Sequence, residues 1–66
     1  MSVDVLIVGG GSIGERHLRC FQAQPGVNVA LCETHDSRRE EVVRRYEVAD
    51  AYSDLNVALR RSWDAA

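Results

Sequence analysis

Val3-Asp4-Val5-Leu6-Ile7-Val8-Gly9-Gly10-Gly11-Ser12-Ile13-Gly14 is the stretch that decides the fold. Its first six residues are mostly β-branched or aliphatic with little alternation, which predicts a short strand buried on both faces. The glycines that close it fit G-x-G-x-x-G, and each has a separate physical reason. Gly9 permits the tight turn out of the strand, Gly11 lacks the β-carbon that would block a pyrophosphate, and Gly14 lets a helix pack closely on the sheet. Beyond the motif, Ile13, His17, Leu18 and Phe21 share one helical face, and Pro25-Gly26 marks where that helix must end.

Val27-Asn28-Val29-Ala30-Leu31-Cys32 reads as a second strand, and the intervening length suits a single crossover helix, hence parallel pairing. Ser37-Arg38-Arg39-Glu40 has the form of a capping box, predicting a second helix that starts there and buries Val42, Val43 and Tyr46. Residues 49–52 suit a short third strand, and Asp54 suits the cap of a last helix with Leu55, Ala58 and Leu59 on its apolar face. The expected fold class is therefore α/β, the N-terminal part of a Rossmann NAD(P)-binding fold with a parallel sheet in the order β-α-β-α-β-α. Residues 1–66 read as one portion of a dinucleotide-binding domain, truncated where another strand is due, with no substrate domain.

In that fold a helix N-terminus faces the cofactor. The free N–H groups of the first turn, at Ser12 and Ile13 after Gly11, and the positive end of the helix dipole hold phosphates without a lysine or arginine. Glu33 follows the second strand 19 positions after Gly14, near the ~20-residue spacing at which an acid reaches the adenosine ribose hydroxyls. Its charge favours NAD and opposes a 2′-phosphate, whereas Arg38 and Arg39 could neutralise such a phosphate and admit NADP. The candidate cofactor-binding residues are Gly9, Gly11, Ser12, Ile13, Gly14, Glu33 and Arg38.

The 66 residues carry a formal net charge of −2, which gives no general attraction to nucleic acid or anionic lipid. No run is long enough to span a membrane, and an acid stands near the N-terminus where a signal peptide would be positive, so the cytoplasm is the expected compartment. All 8 basic side chains are arginines. Without lysine a whole class of catalytic roles is missing, and no catalytic residue is assigned. Cys20 and Cys32 match no metal spacing and are expected as buried thiols. His17 is expected to be a packed, hydrogen-bonded residue and His35 a loop residue near the adenine end, since neither has a partner spaced for a triad or a metal. Trp63 is expected to cover apolar surface, and Arg60-Arg61 to be a solvated helix end.

The stretch from Val5 to Arg19, with Gly11-Ser12-Ile13-Gly14-Glu15-Arg16-His17-Leu18 at its centre, closely resembles the N-terminus of the glucose–fructose oxidoreductase and inositol dehydrogenase family, Gfo/Idh/MocA. The likeness continues through Pro25-Gly26-Val27, Val29 to Glu33, Arg38 to Tyr46 and Ala51 to Leu55. The resemblance implies an NAD- or NADP-dependent oxidoreductase acting on a sugar, cyclitol or related polyol held by a second α/β domain. A homo-oligomer is compatible with it. Two departures stand out: the family usually has aspartate where Glu33 stands, and its Glu-Lys-Pro segment and later catalytic lysine and histidine would lie beyond residue 66. Two alternatives remain at this point. One is a nucleotide-sensing or scaffold module that binds without turnover; the other is an FAD-binding N-terminus, against which Glu15-Arg16-His17 departs from the small and apolar residues usual there.

Overall fold

The structure, a computed structural model, describes residues 3–66; Met1 and Ser2, with which the N-terminal reading began, lie outside the described residues. Strand β1 (Val3–Val8) leads to helix α1 (Ser12–Gln22), β2 (Val27–Cys32), α2 (Asp36–Tyr46), β3 (Asp50–Tyr52) and α3 (Leu55–Ala58). The three strands form one parallel sheet in the order β1-β2-β3, with Val3 opposite Val27, Val8 opposite Cys32, and Ala30 opposite Asp50.

Alternation along β1 feeds two cores. Val5 and Ile7 point to one face, where they pack with Leu18 of α1, Leu31 of β2, Val42 of α2 and Val48. Leu6 points to the other, with Ala30, Cys32 and Ala58 of α3, over which Tyr52 and Trp63 lie. This two-sided burial is the reason the strand is a continuous apolar run. Leu6, Leu18 and Leu31 are the largest fully buried side chains among the described residues, each worth roughly 1.5–3 kcal/mol of removed apolar surface.

Both edges of β1 are engaged. The N–H groups of Val3 and Gly9 donate to Gly26 and Cys32 on the β2 side. Between them, Leu6 donates to the Ala65 carbonyl at 2.9 Å, and Ala65 forms a parallel bridge with Val5. After β3 the chain thus returns across the sheet to the far edge of β1, where successive connections diverge to opposite sides of one strand.

Several expectations are corrected. The face of α1 that meets the sheet is Gly14 and Leu18; Ile13 is 72% exposed, Phe21 and His17 are exposed, and all three flank a groove instead of the core. His17 is therefore not a packed residue. Helix α2 starts at Asp36, not at a Ser37–Glu40 box, because His35 caps it through its ring nitrogen and Asp36 places a negative charge in the first turn. Cys20 is exposed whereas Cys32 is buried. In α3 only Ala58 is buried, with Leu55 and Leu59 facing outward. Arg61 is not simply solvated: it lies 4.5 Å over the Trp63 ring and pairs with Asp50 and Asp4.

At Gly14 the helix approaches the turn so closely that an added β-carbon would collide with the Gly9 carbonyl oxygen. That oxygen is backbone and cannot swing aside. Gly14→Ala is expected to lower stability by about 1–3 kcal/mol, the usual cost of overpacking, read as a lower midpoint in urea unfolding; an unchanged midpoint would mean that the helix does not sit this close.

Candidate functional site

At the C-terminal end of β1 the chain turns through Gly9, whose φ of 94° lies in the left-handed region that favours glycine. Its N–H donates to the Cys32 carbonyl at 2.8 Å, tying the start of the turn to the end of β2. Gly11 then caps α1 with extended backbone and no side chain to bond the first-turn N–H groups. Those donors are left for a ligand or water. Nothing lies within 4 Å of where a Gly11 β-carbon would be, so the space there is open.

The opening is one end of a groove of about 690 Å³, lined along the turn by Gly9, Gly11, Ser12, Ile13 and Gly14, and further along α1 by His17 and Phe21. It runs beside β1 where Ala65 returns to the sheet. A groove at the carboxyl end of a strand whose neighbours depart in opposite directions is where open α/β sheets hold ligands.

Glu33 and Arg38 stand on the β2 side of the same turn. Glu33 is only 7% exposed. Its Oε1 accepts the Gly10 N–H at 2.7 Å and its Oε2 accepts the His35 N–H at 2.9 Å. These two bonds, His35 first, hold its carboxyl below the usual carboxylate range, with the nearby Arg38 charge adding to the effect against the cost of burial. The Arg38 guanidinium lies 3.7 Å from Oε1 and is half exposed. Arg39 turns away to donate to the Glu33 carbonyl and to pair with Asp36, which leaves Arg38 as the arginine at the turn.

The five turn residues singled out in the sequence line one groove, whereas Glu33 and Arg38 do not line it and stand behind the turn on the β2 side, against Gly10. Sequence reasoning missed Gly10, a motif position open to any residue, whose burial against Glu33 became visible only in the fold. It also missed His17 and Phe21 as groove residues, because their helical spacing looked like a core face. Among the described residues, no group of three or more His, Cys, Asp or Glu gathers to hold a metal ion. No helix among them is long and apolar enough to cross a membrane.

Comparison with known proteins agrees with this fold. The sequence model of the family GFO_IDH_MocA, described as an oxidoreductase family with an NAD-binding Rossmann fold, matches residues 3–66. A crystal structure of an oxidoreductase from Agrobacterium radiobacter, in complex with NAD+, L-tartaric acid and magnesium, has the same fold with a TM-score of 0.83 at 15% identity. The match covers 100% of this chain and 21% of that one. No curated protein sequence matches the chain.

The buried carboxylate makes a pH prediction. Because its folded pKa is lowered, Glu33 contributes stability that is fully present above the unfolded carboxylate value and is lost as pH falls through the folded one. Glu33→Gln should be less stable than wild type at neutral pH, with the gap narrowing as the solution is acidified. Urea unfolding across the acid range measures it, and a gap independent of pH would show that the charge makes no difference.

Proposed function

We infer the function from one premise: the chain belongs to the Gfo/Idh/MocA oxidoreductase family, whose Rossmann fold binds NAD, over residues 3–66. Residues 1–66 form the N-terminal portion of a dinucleotide-binding domain in a nicotinamide-dependent oxidoreductase. The observation that carries this is the open space at Gly11, directly before uncapped α1 donors and beside the groove. The backbone there fits a pyrophosphate, because a β-carbon would fill the space that the anion needs.

Gly11, Ser12 and Ile13 would present backbone N–H groups to the phosphates, with the positive end of α1 behind them. Gly9 and Gly14 would hold that helix end in place. Glu33 would accept hydrogen bonds from the adenosine ribose: each of its oxygens takes one backbone N–H, and a carboxylate has about four acceptor sites in all. Arg38 would lie over the ribose edge, where it is free to meet a 2′-phosphate, so NADP is a second cofactor on this reading. When bound, the nicotinamide supplies hydride transfer.

The substrate would be a sugar, cyclitol or related polyol, held by residues outside this chain. The L-tartaric acid in the related structure, itself a polyhydroxylated acid, is of similar chemistry. Two unpaired thiols, Cys20 and Cys32, fit a reducing compartment such as the cytoplasm.

Gly11→Val tests the reading. Valine should weaken NAD binding at least about tenfold, which corresponds to about 1.4 kcal/mol, with little change in thermal midpoint because nothing in the fold occupies that space. Calorimetric titration and thermal unfolding measure the two effects. Equal affinity in both proteins would remove Gly11 from the site.

A further inference from the structure

Three consecutive glycines are more than the motif requires, since its second position tolerates any residue. Gly10 is buried, and a β-carbon there would stand 3.2 Å from Glu33 Oε1, 3.4 Å from Arg38 Cγ and 3.5 Å from Glu33 Cγ. Its φ lies outside the left-handed region, so a side chain at this position would be opposed by crowding against Glu33 and not by backbone conformation, and Glu33 would have to give way by a few tenths of an ångström. What occupies the space is the Glu33 carboxylate, which accepts the Gly10 N–H.

We propose that Glu33 is a positioning residue for the phosphate-binding turn as well as an acceptor for the ribose, and that it acts through Gly10. Two adjacent N–H groups of the turn are fastened to the end of β2: Gly9 to the Cys32 carbonyl and Gly10 to the Glu33 side chain. The second oxygen of Glu33 takes the His35 N–H at the start of α2, so the carboxylate bridges the turn and the next helix. Gly11 and the first donors of α1 follow directly, and their direction depends on both fastenings. The length of the side chain is decisive. An aspartate would end one C–C bond, about 1.5 Å, short and would leave the 2.7 Å bond to Gly10 unmade. Glycine at 10 and glutamate at 33 are thus one coupled choice.

This inference rests on the reading that NAD binds at the turn, and its test separates the two. Glu33→Asp keeps the charge and shortens the reach, so the probes are NAD and its analogue lacking both adenosine ribose hydroxyls. Glu33→Asp should weaken binding of both ligands about tenfold. Loss confined to NAD, or no loss with either, would overturn the proposal, because a residue that only reads the ribose cannot matter to a ligand without the diol. Gly10→Ala should also weaken NAD about tenfold in wild type, yet cost less than twofold in the Glu33→Asp background, where the carboxylate has withdrawn; penalties that multiply would contradict the coupling. A cofactor-free readout completes the test and requires no variant. The Gly10 amide proton should resonate downfield and move as the Glu33 carboxyl is protonated in the acid range; the other ionisable side chains that face this residue are His35, Arg38 and Arg39. A Gly10 amide that does not move would overturn the proposal even if NAD binds, whereas an amide that moves in a protein that does not bind NAD would leave the fastening intact and sink only the cofactor reading.

Discussion

Everything at the site depends on α1 starting almost in contact with the end of β1. The Gly9 carbonyl occupies the place where any side chain at Gly14 would stand, and this missing β-carbon lets the first turn of the helix rest on the turn that precedes it. Leu18, one turn further along the same face, is fully buried against the sheet. The helix cannot be displaced outward without unpacking Leu18, nor inward without striking the Gly9 carbonyl. Its N–H donors are therefore held in a fixed direction before any ligand arrives, which lowers the ordering cost of binding.

The rest of the fold supports that arrangement from both edges of β1. On one side β2 fastens the glycine turn through Cys32 and Glu33. On the other, Ala65 takes up hydrogen bonds with the β1 backbone, and Trp63 closes the second core while donating to the Ala58 carbonyl. Helices α1 and α2 are joined above the sheet by Glu15, which accepts from the Tyr46 hydroxyl and from Arg45. Those bonds, the tyrosine first, hold the Glu15 carboxyl below its ordinary value. The exposed bridge adds little to stability by itself; its place in the structure is to orient one helix against the other.

The strands and the glycine turn were legible in the sequence because their signals are local. An unbroken apolar run, a set of glycines at fixed offsets and a second run at crossover distance leave few topologies open. The misread features depend on contacts that span the chain or on residues that carry no hydrophobic signal. Gly14 with Leu18 is the inward face of α1, but a glycine does not register in an apolar pattern, so Ile13, His17 and Phe21 looked like the core. Ser37 and Glu40 have capping-box spacing, yet the His35 ring nitrogen accepts the Arg38 N–H and caps the helix earlier. Arg61 looked like a helix end because nothing in its neighbourhood announces Asp4, on the opposite side of the sequence. Glu33 was legible as an acid 19 positions after Gly14; its hold on Gly10 was not, since only the fold brings them together.

On the proposed function, the cofactor's phosphates bind the backbone between Gly11 and Ile13. Titration of NAD into uniformly ¹⁵N-labelled protein, followed by amide chemical shifts, tests it most directly. The Gly11, Ser12 and Ile13 amides should move most and saturate together, with smaller changes at Gly10 and His35. Shifts concentrated elsewhere, with those three amides unmoved at saturation, would contradict it.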